Sequence, residues 1–273
     1  MRDLLHQHES TLRKLLRACL GFNGASIIRG ARYGVRELAR ACIRSNAAAR
    51  PFEIESERDL REFPQQSLES ILAGQRAEIK LPVMEYEDGM LPTHDALALL
   101  AILVCENPKT VLEIGTYMGH TTRAMAQNLT AGTIHTVDLP PGFFPESDAA
   151  ARLPKDDFHL IGKRVVGREF KDTPYAKQII QHHGDTAEFD FHKFGQPSFF
   201  FIDGSHTYEY CRNDSERCLE ISAPGSVFLW HDCDAVHPGV IKLLEEWRAL
   251  GRDVVRIFGT ALAYWKRSDP NSL

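Results

Sequence analysis

The fold is decided by Thr110-Val111-Leu112-Glu113-Ile114-Gly115-Thr116-Tyr117-Met118-Gly119-His120-Thr121-Thr122. A short apolar run ends in an acid and two glycines, then gives way to a helix-like pattern. Downstream a second apolar run, Ile134-His135-Thr136-Val137, closes on Asp138. Strand, glycine loop, helix, strand and acid in this order hold an adenosine-containing ligand at the carboxyl ends of parallel strands. Gly115 permits the tight turn, and Gly119 is expected to let the backbone pass close to a ligand. A dinucleotide needs a third glycine where its pyrophosphate meets the helix N-terminus, and none is present at that spacing. S-adenosylmethionine carries no phosphate, so the looser loop suits it. Asp138 is placed for its ribose hydroxyls. Gly184-Asp185-Thr186 puts a second acid where the adenine amino group can bond.

Outward from this unit, strand and helix patterns alternate, as in a parallel sheet covered on both faces. The seven strands expected are Thr110–Ile114, Thr133–Val137, Lys177–His182, Ser198–Ile202, Ser226–Trp230, Asp253–Ile257 and Ala261–Lys266. The short separation of the last two predicts an antiparallel hairpin at the C-terminus. Helices are expected over His94–Cys105, with Thr93 as N-cap, and over His120–Leu129, Tyr208–Ile221 and Pro238–Leu250, with a shorter one over Ser67–Arg76. Residues 1 to about 48 carry apolar residues at helical spacing, so 1–85 is expected to be a helical extension and 86–273 the main domain. The connection 139–176 is long for a compact domain; it is either a lid or a surface insertion. Glu85–Met90 is expected to close over the methionine end of the cofactor.

The net charge of −5 gives no reason to expect nucleic acid as a partner. The balance is uneven, since residues 1–50 hold ten Lys and Arg against three acids. A homo-oligomer through these N-terminal helices is expected, or contact with an anionic partner. The six cysteines form no C-x-x-C pair and read as reduced thiols. Ala96–Cys105, the longest apolar stretch, is too short to span a bilayer, and the first residues lack a secretory pattern, so a cytoplasmic protein is expected.

Two blocks carry candidate chemistry. The fourth strand runs into Ile202-Asp203-Gly204-Ser205-His206-Thr207-Tyr208, and the fifth into Trp230-His231-Asp232-Cys233-Asp234. Both lie at the carboxyl edge of the sheet, which brings Asp203, His206, His231 and Asp232 into one neighbourhood. Such a set either holds a divalent cation that acidifies a hydroxyl or supplies an imidazole as general base.

The blocks Val111–Thr122, Phe201–Asp214 and Ala223–Asp234 resemble a family of class I S-adenosylmethionine-dependent methyltransferases, whose members carry IDGxHxY…D after strand four and PGGxxxxHD after strand five. The resemblance runs from about Asp88 to Lys266. It implies an α/β fold, a Rossmann-like seven-stranded sheet with an antiparallel C-terminal hairpin, and methyl transfer, here to a small-molecule hydroxyl. On this reading Glu113, Gly115, Thr116, Tyr117, Gly119, Thr121, Thr122, Asp138, Asp185, Thr186 and Asp203 form the cofactor site. His206 and His231 are the catalytic candidates. A related branch, the cation-dependent O-methyltransferases, implies a metal held by Asp203, His231 and Asp232. A histidine stands there in place of a carboxylate, and imidazole suits a transition metal better than magnesium. Either the metal differs, or none is used and a histidine is the base. N- or C-methylation stays open, as does a non-catalytic protein that keeps the fold.

Overall fold

The computed structural model describes residues 63–82, 87–143, 161 and 164–268. The helices expected over residues 1–48, and the assembly expected through them, lie outside these residues. So do residues 144–160 and 162–163 of the expected lid.

Among the described residues fourteen elements follow in order. They are β1 (Gln65–Gln66), α1 (Leu68–Ile71), α2 (Thr93–Glu106), β2 (Thr110–Ile114), α3 (His120–Asn128), β3 (Thr133–Asp138), α4 (Arg168–Lys171), β4 (Ile179–His183), β5 (Phe199–Ile202), α5 (Tyr208–Ile221), β6 (Val227–Trp230), α6 (Pro238–Ala249), β7 (Val255–Ile257) and β8 (Ala263–Lys266), with short 3-10 turns before β4 and β5. The sheet order is β1-β7-β8-β6-β5-β2-β3-β4. Strand β8 runs antiparallel to both β6 and β7, which gives the expected C-terminal hairpin, while the other pairs are parallel. From β2 the chain winds outward through β3 to β4, then returns to β5 and winds the other way. The reversal leaves a crevice beyond the carboxyl ends of β2 and β5.

The sheet has eight strands rather than the expected seven. The additional one, β1, pairs Gln65 with Arg256 and Gln66 with Ile257. Two glutamines carry no strand pattern, so backbone bonds alone hold them: Arg256 N donates to Pro64 O at 2.8 Å and Phe258 N to Gln66 O at 2.9 Å. Phe63 is buried in the core beside them. Residues 63–72 therefore build onto the main sheet. The start of α2 also differs. Its N-cap is Pro92, and Thr93 is the first helical residue rather than the cap.

The central strands are apolar throughout, as expected for strands covered on both faces. Leu112, Ile114, Phe200, Ile202, Phe228 and Trp230 pack toward α5 and α6, against Cys218, Leu244 and Trp247. Val111, Phe199, Phe201, Val227 and Leu229 face α2 and α3, against Leu99, Leu103 and Met125. Each such side chain contributes roughly 1.5–3 kcal/mol by leaving water. Helix α5 spans the expected residues, and the Thr207 hydroxyl fixes its start by accepting from Tyr210 N at 3.4 Å. Among the described residues no helix is long and apolar enough to cross a membrane.

Candidate functional site at the carboxyl edge

The crevice holds a cavity of about 350 Å³, within the range of small-molecule sites. Every residue expected at the site lines it except Glu113, Gly119 and Thr122.

Those three lie behind the wall. The period of two along β2 turns Glu113 toward α3, where it is fully buried. Its Oε2 accepts from Thr122 Oγ1 at 2.5 Å and from Thr136 Oγ1 at 2.6 Å. Thr136 Oγ1 lies in turn 2.7 Å from Thr116 Oγ1 on the cavity wall. Burial, relieved only in part by the two hydroxyls, pushes the Glu113 carboxyl up to about 8. Glu113 therefore braces the glycine loop through Thr136 instead of meeting a ligand. Gly119, expected to admit a ligand, admits a helix. Its φ is 90°, and a Cβ there would stand 2.6 Å from the Phe170 ring of α4. Gly115 has a similar constraint. At φ 96° its missing Cβ would lie 2.0 Å from the carbonyl oxygen of Asp203.

Asp138 closes β3 at the cavity. Its Oδ2 accepts from Tyr117 N and its Oδ1 from Leu139 N, each at 2.7 Å. Tyr117 makes this bond from a left-handed backbone, φ 48°. Arg164 Nη2 stands 2.8 Å from Asp138 Oδ1 but out of line for a hydrogen bond. Burial raises the Asp138 carboxyl, and Arg164 with the two amides opposes that rise. At the next strand end, Asp185 Oδ1 accepts from Ala187 N at 2.9 Å and Oδ2 from Tyr210 Oη at 3.0 Å. Asp214, one turn along α5, is buried at the same wall, and burial pushes it up to about 7.

A strap crosses the cavity mouth. Gly89–Pro92 line it, and Tyr117 Oη donates to Asp88 O at 2.9 Å. Arg168 Nη2 donates to both carboxylate oxygens of Glu87, at 2.8 and 2.6 Å. Of the stretch expected to close over the cofactor, Glu85 and Tyr86 lie outside the described residues.

The acid and imidazole groups converge on the other wall. His231 Nδ1 lies 3.1 Å from Asp203 Oδ1 and 3.2 Å from Asp232 Oδ1, while its Nε2 lies 3.1 Å from Asp95 Oδ2. Burial opposes a charge on this imidazole, yet Asp203, with Asp232 and Asp95, holds it protonated well above the usual histidine range. His206 Nε2 lies 2.6 Å from Asp232 Oδ2. Burial would raise the Asp232 carboxyl, but His206 and His231 hold it well below the usual range. Asp232 reaches both imidazoles from a left-handed backbone, φ 57°. His237, the residue before α6, joins the group at 3.4 Å from Asp232 Oδ1.

Sequence reasoning missed Asp95, Arg164, Tyr210, Asp214 and His237. Asp214 and Tyr210 stood inside a block that the resemblance covers. Asp95, the third residue of a strongly apolar helix, was the remaining legible signal.

Residues 112–233 match the family model described as a methyltransferase domain. No curated protein matches the chain. Among solved structures, the chain is similar to an O-methyltransferase from Bacillus cereus in complex with SAH, at 15% identity, covering 77% of this chain and 91% of that one, with a TM-score of 0.44. It is similar also to the O-methyltransferase TomG from Streptomyces achromogenes in complex with SAM, at 16% identity over 83% and 95% of the two chains, TM-score 0.44. A third, cofactor-bound Rv0187 from MTB, is 16% identical over 74% and 95%, TM-score 0.48. The stretch matched by the family model builds most of the cavity wall, so the crevice belongs to a methyltransferase domain.

Proposed function

We propose that the chain transfers the methyl group of S-adenosylmethionine to the hydroxyl of a small molecule, with His206 as general base. The observation that carries this reading is the 2.6 Å contact between His206 Nε2 and Asp232 Oδ2 on the cavity wall. Asp232 accepts from Nε2–H and fixes the tautomer, and Nδ1 takes the hydroxyl proton as oxygen attacks the sulfonium methyl. In-line displacement needs the two reactants held within reach of each other, and the crevice between the β2 and β5 ends supplies that proximity. In the same proposal Asp138 bonds the ribose, and Asp185 with Asp214 faces the adenine. Gly115, Thr116, Tyr117, Thr121 and Thr186 shape the cofactor wall. Both Asp138 oxygens already accept an amide, and a carboxylate oxygen takes a second donor, so room for the ribose hydroxyls remains.

The resemblance implies a cation between Asp203, His231 and Asp232. Each offers a donor atom, and the three lie within 4.8 Å of one another. The donor chemistry does not suit magnesium, which demands oxygen ligands. His231 directs one nitrogen at Asp203 and Asp232 and the other at Asp95, so it satisfies carboxylates as a cation does. His231 is accordingly assigned to orient Asp203 and Asp232.

The test is methyl transfer from labelled S-adenosylmethionine to parallel panels of hydroxyl and amine acceptors, with wild type and His206→Gln. Transfer to hydroxyls that falls in the variant supports the proposal. Transfer confined to amines, or unchanged in the variant, overturns it.

A further inference from the structure

A second cluster lies beside the first. His206, Asp232 and His237 each offer one donor atom within 4.8 Å of the others. Two imidazoles and one carboxylate are a donor set for borderline divalent ions such as zinc or cobalt, and a poor one for magnesium or calcium.

The fold brings these residues together by specific devices. His206 lies between β5 and α5, and His237 immediately before α6. They meet because Gly239 lets α6 press onto the His206 segment: a Cβ there would stand 2.6 Å from both His206 O and Tyr208 N. The two rings lie 4.4 Å apart between centroids. His237 is held from behind by Asp234, whose Oδ1 accepts from Val236 N at 2.9 Å and His237 N at 3.1 Å and lies 2.9 Å from His237 Nδ1. The nitrogen that faces Asp232 is this same Nδ1, so on loading His237 exchanges its Asp234 contact for the ion. Asp232, at φ 57°, presents its carboxylate to both imidazoles. All three residues are at least partly shielded, yet His206 and His237 keep 27% and 25% of their side-chain surface exposed, so an ion has a path in.

We propose that His206, Asp232 and His237 bind a borderline divalent cation, and that this ion switches methyl transfer off. The regulatory half rests on His206 being the base. An ion shared with Asp232 takes the Nε2 lone pair and displaces the Nε2 proton. The neutral ring then carries its proton on Nδ1, which can no longer accept one from a hydroxyl. Tetrahedral zinc bonds of 2.0–2.1 Å set ligand atoms about 3.3 Å apart. His206 and Asp232 therefore open slightly on loading while His237 closes in.

The test uses the full chain stripped with EDTA. Zinc is titrated calorimetrically and cobalt by its visible absorption, for wild type, His237→Ala and His237→Cys. The expected result is one tight site in wild type that millimolar magnesium does not displace. His237→Ala should weaken it by at least about 100-fold, since losing a ligand costs more than losing an outer partner. His237→Cys should retain it with a new thiolate-to-cobalt band, which separates lost ligation from lost folding. Equal binding by wild type and His237→Ala, or none by wild type, overturns the site. Rates measured in parallel address the switch. Zinc should slow wild type and leave the ratio of rates near unity in His237→Ala. Tight, His237-dependent binding without slowing leaves the site standing and overturns the switch together with His206 as base.

Discussion

The Asp95 carboxylate of α2 reaches His231 Nε2 at 3.1 Å, although 136 residues separate the two in sequence. Its second oxygen accepts from Ala261 N at 3.2 Å, at the turn before β8. One fully buried side chain thus ties α2 to both the acid cluster and the C-terminal hairpin. Without Asp95, His231 keeps Asp203 and Asp232, but its Nε2 and Ala261 N lose their acceptor, at a cost of roughly 1–3 kcal/mol. Asp95→Ala should therefore lower the urea unfolding free energy by about that much. A loss below about 1 kcal/mol would show that the pair contributes little.

Glu113 should make stability pH-dependent. Its folded value is raised from the ordinary 4.5 to about 8, so the folded state keeps the proton while the unfolded chain releases it. The contribution is full below pH 4.5 and is lost as pH rises toward 8, with a slope of up to about 1.4 kcal/mol per pH unit. Glu113→Gln keeps the shape without the titration. The stability of wild type relative to this variant should fall across that window, and parallel pH curves for the two would contradict the assignment.

Asp138→Ala tests the cofactor wall. Hydrogen bonds to a charged acceptor are worth about 1.5–3 kcal/mol each, so calorimetric affinity for S-adenosylmethionine should drop at least about tenfold. Undiminished affinity would remove Asp138 from the proposed ribose contact.

For His206→Gln the chemical step should slow by about 10²–10⁴-fold, the usual yield of a general base. Single-turnover rates at saturating cofactor are the proper measure, since cofactor affinity should hold. A variant that loses affinity and keeps its rate would make His206 a binding residue.

Gly119→Ala separates packing from ligand contact. The methyl group would press into Phe170 from a backbone that side chains rarely adopt, at about 1–3 kcal/mol. The double change Gly119→Ala with Phe170→Ala should recover none of the backbone part but relieve the clash, a non-additivity that thermal melts can read.

The main elements were legible because their signals are local. Strands β2, β5 and β6 are apolar runs bounded by turn residues, and α5 carries its own cap in Thr207. Strand β1 was not, because Gln65 and Gln66 join the sheet through backbone groups that every residue has. The site divides the same way. Asp138 ends a strand and Asp203 and Asp232 follow strands, so position alone predicts that they line the cavity. Asp95 and His237 acquire their meaning only from partners brought close by tertiary packing. Glu113 and Gly119 were assigned to the ligand because motif spacing reports which residues gather at a strand end; it does not report which way each one points.

The 2.0 Å that a Cβ on Gly115 would leave to the Asp203 carbonyl makes the cofactor turn and the acceptor segment one mechanical piece. Asp203 N is also bonded to Ile114 O at 2.9 Å, so the two chain ends are joined just ahead of that contact. No side chain intervenes to absorb a displacement. A shift of the 115–117 turn would therefore pass to Asp203 and, through the 3.1 Å contact, to His231.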